Sequence, residues 1–121
     1  MPLTLVFRTD DLLVMEQAYD ASTPPPPPHF HPAQDEHFEV LEGTVSTLVD
    51  GTERVYAAGE AFDVPAGTVH TMGPHDGPAR LRWEVRPALR TWEFLSGMPE
   101  SLEDRITHVG RYADEFRLAG R

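Results

Sequence analysis

The 121-residue sequence contains no cysteine and no lysine. Without cysteine it can form neither a disulfide framework nor a thiolate site, which favours a cytoplasmic location. It also lacks an apolar run of the roughly 20 residues that span a bilayer. Its first residues show no basic region followed by a long apolar stretch. We therefore expect neither a membrane segment nor a signal peptide.

The charge is strongly one-sided, with a formal net charge of -10 at pH 7. Such a chain repels a phosphate backbone and an anionic membrane surface, so we expect no nucleic-acid partner and no membrane partner. Hydrophobic residues make up 40% of the sequence and charged residues 25%. This composition and length predict one folded domain with a packed core.

Short segments of strand character alternate with turn signals over the first three quarters of the chain. Asp50-Gly51 lies between two of them and is typical of a hairpin turn. Repeated strands at this spacing predict an all-β antiparallel sandwich or barrel. Leu81, Trp83 and Val85 alternate with charged residues, so we expect these three side chains to face the core. The predicted strands are 3–7, 12–19, 38–41, 44–49, 54–57, 61–64, 69–72 and 80–85.

From about residue 91 the apolar spacing becomes helical. Ser101 and Asp104 resemble a capping box, and apolar residues then repeat every three or four positions. We therefore predict a β-barrel at 1–90 and a C-terminal helical segment at 91–121 that packs on the barrel or at a subunit contact. His108 is expected on the polar side of this amphipathic helix. Its predicted apolar face consists of Leu102, Ile106, Val109, Ala113 and Phe116.

Two histidines follow directly on five prolines at residues 24–28. His29 and His31 would point to the same face of a strand, and Glu36 enters the next strand after a turn. Two imidazoles and a carboxylate suit a borderline divalent metal. Asp35 and Glu39 are nearby carboxylates, which leaves open whether Glu36 is a ligand or an exposed side chain.

The prolines themselves allow two interpretations. They fix an extended backbone, so the first ligand strand would be partly ordered before a metal binds. A proline run can also bind an aromatic groove of another protein. Because this run adjoins the two histidines, we favour the structural interpretation.

A third histidine follows a predicted tight turn. Pro65 and Gly67 occupy positions that such a turn prefers, and the strand after it would place His70 and Met72 on one face. The four polar side chains then belong to two spaced motifs. The first, H-x-H-x4-E-x6-G, comprises His29, His31, Glu36 and Gly43. The second, G-x5-P-x-G-x2-H, comprises Gly59, Pro65, Gly67 and His70.

In these two motifs the sequence resembles the cupin family, over residues 24–87. The resemblance implies a double-stranded β-helix, which is a jelly-roll barrel, with His29, His31, Glu36 and His70 as metal ligands. Two positions depart from the family pattern, because Thr23 stands where glycine is frequent and Pro74 where asparagine is frequent. Neither supplies a ligand, so only the local loop geometry is affected. The resemblance also implies a homodimer, with its contact at the N-terminal strand or the terminal helix.

Three neutral imidazoles and one carboxylate leave a divalent ion positively charged and, if octahedral, with about two open positions. Iron, manganese, nickel, zinc, cobalt and copper all tolerate this ligand set. The resemblance favours a metal-dependent enzyme, with dioxygenase-like oxidation of a small enol- or phenol-like substrate first. A metal-dependent isomerase, cyclase or decarboxylase, a non-enzymatic sensor or storage protein, and a barrel without metal stay open.

The remaining predictions concern the surroundings of the metal. Phe38, Val40, Met72 and Trp83 are expected to line an apolar substrate pocket. No arginine is among the residues expected to face inward, which argues against a polyanionic substrate. His37 is expected on the solvated face opposite Glu36, and His75 in a surface loop near the barrel mouth.

Overall fold

A computed structural model describes residues 3–120. Its elements, in chain order, are β1 (Leu3–Arg8), β2 (Leu13–Tyr19), β3 (His29–Phe30), β4 (Asp35–Glu42), β5 (Thr44–Val49), β6 (Thr52–Ala57), β7 (Ala61–Val64), β8 (His70–Pro74), β9 (Ala79–Arg86), α1 (Thr91–Ser96), α2 (Leu102–Arg111) and β10 (Arg117–Leu118).

The strands form two five-stranded antiparallel sheets. Sheet A has the order β1-β2-β9-β4-β7, and sheet B has the order β10-β3-β8-β5-β6. Apart from β1–β2 and β5–β6, neighbouring strands are not consecutive in the chain, as when β4 pairs with both β7 and β9. This topology confirms the predicted all-β, double-stranded β-helix barrel. The predicted strands at 44–49 and 61–64 coincide with β5 and β7.

The core lies between the two sheets because alternate side chains point inward. On β4, Glu36, Phe38 and Val40 are buried, while the residues between them are less so. Leu81 and Val85 on β9 are likewise buried, and Trp83 is partly buried against both core clusters. The larger cluster consists of Tyr19, Phe38, Val40, Val45, Phe62, Val64, Met72, Ala79 and Leu81.

The C-terminal helix is present, but its face differs from the prediction. Ser101 caps α2 as expected, since its hydroxyl accepts a hydrogen bond from the Asp104 amide. However, Leu102 and Ile106 are 76% and 67% exposed. His108 is instead buried, with its Nε2 2.8 Å from the Phe94 carbonyl oxygen on α1. The apolar periodicity predicted the helix correctly but not the face that it buries. The polar side chain of His108 can be buried because it hydrogen-bonds to the Phe94 carbonyl oxygen.

The boundary predicted near residue 90 stays a prediction, because the C-terminal segment is joined closely to the barrel. Strand β10 pairs with β3, and Trp92 and Leu95 of α1 pack against the smaller core cluster around Leu13 and Met15. The predicted helical segment at 91–121 contains two helices, α1 and α2, and also the strand β10, which was not predicted. No helix within residues 3–120 is long and apolar enough to cross a bilayer.

Two glycines occupy turns with positive φ for different reasons. Asp50 and Gly51, with φ of 49° and 80°, form the two-residue turn of the β5–β6 hairpin, which confirms the hairpin prediction. Gly43 connects β4 to β5 with φ of 73°. A Cβ atom there would lie 2.3 Å from the Pro78 carbonyl oxygen, whereas a Cβ atom at Gly51 would meet nothing within 4 Å.

This difference predicts unequal costs for the same substitution. Both Gly43→Ala and Gly51→Ala impose positive φ on alanine, at about 1–2 kcal/mol. Gly43→Ala should lower the free energy of unfolding by about 1–3 kcal/mol more, because the new methyl group overlaps backbone. Urea denaturation of the two variants measures the difference. Equal losses would show that the close approach of Pro78 does not require glycine.

Candidate metal centre

Three histidines meet where β3 pairs with β8. His29 on β3 is the register partner of His70 on β8, and His31 follows directly after β3. All three side chains are buried. One nitrogen from each lies within 4.8 Å of the other two, so the group could hold a metal ion. The structure thus brings together the three histidines that the motifs predict as ligands.

Each imidazole is held through its Nδ1 atom by a backbone carbonyl oxygen. The distances are 2.9 Å from His29 to Pro27, 2.7 Å from His31 to Glu115 and 2.9 Å from His70 to Thr68. A carbonyl oxygen only accepts, so Nδ1 must carry a hydrogen, and in the neutral imidazole Nε2 then keeps its lone pair. This arrangement fixes the tautomer that a metal ligand needs.

The proline run supplies one of these carbonyls, that of Pro27, and the carbonyls of the prolines before and after it also accept hydrogen bonds. The Pro26 carbonyl accepts the Thr71 hydroxyl at 2.6 Å, and the Pro28 carbonyl accepts the Ala119 amide at 2.9 Å. Since proline has no amide hydrogen, this segment can only accept hydrogen bonds. Three successive carbonyls, including that of Pro27, therefore connect it to β8, to His29 and to the C-terminal segment.

Glu36 lies beside the histidines and is only 3% exposed. Its Oε1 is 3.2 Å from Nε2 of His31 and 3.0 Å from Nε2 of His70. Its Oε2 accepts a hydrogen bond of 2.7 Å from the Trp83 indole. The carboxylate is therefore buried, and neither Asp35 nor Glu39 takes its place on this face, because both alternate with Glu36 on β4.

Two atoms at the centre lack a hydrogen bond. His31 Nε2 and Glu36 Oε1 are buried without a hydrogen-bond partner, although they lie within ion-pair distance. The distance suits an attraction between a charged imidazole and the carboxylate, but no hydrogen bond joins the two atoms. Burying such groups unsatisfied costs about 1–3 kcal/mol each. A cation between them would satisfy both.

The ionisation of the site follows from burial and from the carboxylate. Burial lowers the pKa of His29 to about 4, so this imidazole is neutral at pH 7. Burial also acts to lower the pKa of His31, but Glu36 and the Glu115 carbonyl outweigh it and raise that pKa. Burial would raise the pKa of Glu36, yet the His31 and His70 imidazoles hold it well below its ordinary value. Positive charge next to Glu36 is therefore favoured.

Sequence reasoning missed the contribution of the C-terminal segment. Phe116, predicted on the apolar face of the helix, lies beyond the end of α2 and stacks on His29 with ring centroids 4.6 Å apart. Phe94 of α1 also stacks on Phe116, with ring centroids 4.8 Å apart. Together with the Glu115 carbonyl, this segment covers and orients two of the histidines. No local pattern signals these contacts, because they depend on the long-range pairing of β10 with β3.

The predicted pocket-lining residues occupy the core. Phe38, Val40 and Met72 are buried in the larger cluster, while Trp83 touches Glu36 directly. Their contact with a substrate stays a prediction. A cavity of about 210 Å³ is lined by other residues, namely Thr47, Val49, Thr52, Arg54, Tyr56, Phe62 and Asp63.

The other two candidate histidines lie away from the centre. His37 is 41% exposed and pairs with Asp63 at 2.7 Å, in agreement with its predicted position on the outer face. His75 follows β8, and its side chain is also 41% exposed and contacts Ser46 and Asp76.

A family model described as a cupin domain matches residues 15–85 of this chain. Among curated proteins, "Probable oxidoreductase patJ" from Penicillium expansum is 40% identical over 58 residues. That match covers 46% of this chain and 18% of the relative, so the chain corresponds to a small part of the longer protein.

Solved structures resemble the barrel more completely. KdgF from Halomonas sp. superposes with a TM-score of 0.69 at 22% identity, covering 74% of this chain and 81% of that one. TT1209 from Thermus thermophilus superposes with a TM-score of 0.66 at 28% identity, covering 72% and 83%. The likeness to KdgF, at its low identity, shows the fold alone.

The stacking of Phe116 on His29 predicts a change in ionisation. Phe116→Ala should raise the pKa of His29 from about 4 toward its ordinary 6.5, because the ring helps to bury the imidazole. The substitution should also lower the free energy of unfolding by about 1–3 kcal/mol, which is less than the loss for a fully buried phenylalanine. Titration of the imidazole by NMR, with chelator present, measures the pKa.

Leu102→Ala is the matched control, since Leu102 lies at the start of α2, away from His29, and is 76% exposed. It should change stability by no more than about 0.5 kcal/mol and leave the His29 titration unchanged. The same pKa of His29 in both variants would show that Phe116 does not shield the imidazole.

Proposed function

The chain belongs to the cupin family, and from this membership together with the site geometry we propose that His29, His31, His70 and Glu36 bind a divalent transition-metal ion. One observation carries the proposal. Each of the three buried imidazoles uses Nδ1 for a backbone carbonyl and has Nε2 available for the centre. A metal-ligating histidine almost always donates its second ring nitrogen in this way, which leaves the other nitrogen for the metal.

The donor set fits the proposed ion. Imidazole nitrogens with one carboxylate suit iron, manganese, cobalt, nickel, copper and zinc. Glu36 balances part of the charge, and its Oε1 has no hydrogen-bond partner to give up. Trp83 fixes the other carboxylate oxygen, so the side chain is already oriented and loses little conformational freedom on binding.

Removing one ligand should abolish tight binding. We expect His70→Ala to weaken Zn²⁺ or Mn²⁺ binding by more than the about 10–100-fold that follows loss of an outer hydrogen-bond partner. His37→Ala is the matched control, because His37 is half-exposed on the opposite face of β4. Titration calorimetry measures both affinities. Added metal should raise the Tm of wild type and His37→Ala but not of His70→Ala; equal affinities in the two variants would contradict the assignment.

We further propose that the protein is an enzyme that oxidises a small oxygen-bearing substrate in a dioxygenase-like reaction. The oxidoreductase name of the curated relative supports oxidation, and the burial of the three histidines supports a site that restricts water. A bound transition metal would supply Lewis acidity and, if redox-active, access to dioxygen. The protein's own contribution is to fix the imidazole tautomers, hold Glu36 through Trp83 and cover His29 with Phe116.

Oxygen consumption tests the reaction class. Protein reconstituted with Fe²⁺ should consume oxygen with at least one member of a panel of small enols and phenols, and His37→Ala should do so equally. His70→Ala should remain at the level of buffer. No uptake with any compound, in a protein that binds the metal, would refute oxidation. Conversion of a compound without oxygen uptake would point to a metal-dependent isomerase or cyclase.

A homodimer remains a prediction. Strand β1 forms one edge of sheet A, and its side chains Leu5, Val6 and Phe7 are 40–51% exposed. These exposed apolar side chains support the proposal that two copies associate at this edge. Light scattering over a range of concentrations measures it. A cytoplasmic location also stays a prediction.

A further inference from the structure

We propose that Arg54 binds the carboxylate of the substrate, which makes the substrate a small carboxylic acid with an apolar or aromatic body. The inference rests on the metal site proposed above, because the acid would extend from Arg54 toward the histidines. It replaces the expectation that no arginine faces the interior.

The position of Arg54 follows from strand register. Arg54 on β6 is opposite Thr47 on β5, and Thr47 is opposite Met72 on β8. Residues opposite one another in antiparallel strands share a face. Arg54 therefore lies on the inner face, as do Met72 and His70, which is two residues along the same strand.

Neighbouring side chains support this face. Tyr56, two residues from Arg54, stacks on Phe62 with ring centroids 4.4 Å apart and packs against the larger core cluster. Arg54 is exposed, because β6 is the last strand of sheet B. It therefore stands at the open rim of the barrel rather than in the core.

The distance to the metal centre suits a small molecule. His70 is opposite Val49 on β5, and Val49 is opposite Thr52 on β6. Strands are spaced about 4.7–4.9 Å apart, so β6 lies about 10 Å from β8. The cavity at Arg54 includes Val49 and Thr52, and its volume of about 210 Å³ is below the about 300–1,000 Å³ of pockets for drug-sized ligands.

The charge of Arg54 has no partner within residues 3–120. The guanidinium makes no ion pair or hydrogen bond. The Thr47 hydroxyl donates to the backbone carbonyl of Arg54, not to its side chain. Five other arginines lie within ion-pair distance of carboxylates: Arg8, Arg80, Arg82, Arg86 and Arg90. In a chain with a net charge of -10, an unpaired guanidinium at a cavity marks a place where an anion is favoured.

The chemistry of the cavity favours a carboxylate. A guanidinium presents two parallel N–H donors that match a planar carboxylate. The stacked rings of Tyr56 and Phe62 provide a flat apolar wall for the body of the molecule. A single arginine suits one negative charge better than a polyanion. Asp63 also lines the cavity, but it alternates with inward-facing Phe62 and its carboxylate contacts His37 on the outer face.

Binding of 4-hydroxybenzoate, compared with its uncharged analogue 4-hydroxybenzamide, tests the proposal. NMR titration of protein without metal and of Zn²⁺-loaded protein gives both affinities. Arg54→Gln should weaken 4-hydroxybenzoate binding about 10-fold or more, the effect of losing hydrogen bonds to a charged group. The amide should bind wild type and Arg54→Gln equally.

Arg111→Gln is the matched control. Arg111 is exposed at the end of α2, and its guanidinium likewise has no partner within the described range, so the substitution removes the same charge away from the cavity. It should leave 4-hydroxybenzoate binding unchanged. Equal weakening in both variants would reveal a general charge effect and overturn the proposal, as would absence of binding to wild type in both forms.

The test of the carboxylate subsite can fail independently of the test of the metal site. Arg54→Gln should bind Zn²⁺ with wild-type affinity, because Arg54 is not a proposed ligand. If wild type fails to bind Zn²⁺ but still prefers the carboxylate through Arg54, the metal proposal fails and the carboxylate subsite stands. If Zn²⁺ binds and Arg54→Gln behaves like wild type, the subsite fails alone.

Discussion

Backbone carbonyls decide which nitrogen each histidine offers at the centre. They come from three distant parts of the chain: the proline run at Pro27, the turn at Thr68 and the C-terminal segment at Glu115. Because the acceptors are main-chain atoms, the tautomers depend on the path of the backbone rather than on the side chains at these positions. The barrel therefore does more than bring imidazoles together, since its loops also determine their protonation.

Much of this site could be predicted because its residues are close in sequence to regular strands. His29 and His31 share a face by simple alternation, and His70 follows a turn that Pro65 and Gly67 signal. The burial of Glu36 follows from the same alternation on β4. The hairpin at Asp50-Gly51 has a known turn preference. In each case the physical cause acts over a few residues.

What could not be predicted depends on contacts between distant segments. The helical pattern placed Phe116 on α2, but the helix ends at Arg111 and the ring stacks on His29. His108 was assigned to solvent, because periodicity cannot show that the Phe94 carbonyl is available as a buried partner. Arg54 was overlooked since its face depends on the register of β5 with both β6 and β8. The cupin-domain match ends at residue 85, so the carbonyl that orients His31 lies outside it.

The proline run has a consequence for how opening of the site can be observed. Residues 24–28 carry no amide hydrogen, so local separation of this segment from the barrel leaves no exchange signal of its own. The motion must be detected at its donors, and the amide of Ala119, bonded to the Pro28 carbonyl, is the backbone reporter. Slow exchange at that single amide would indicate that the segment bearing His29 stays docked.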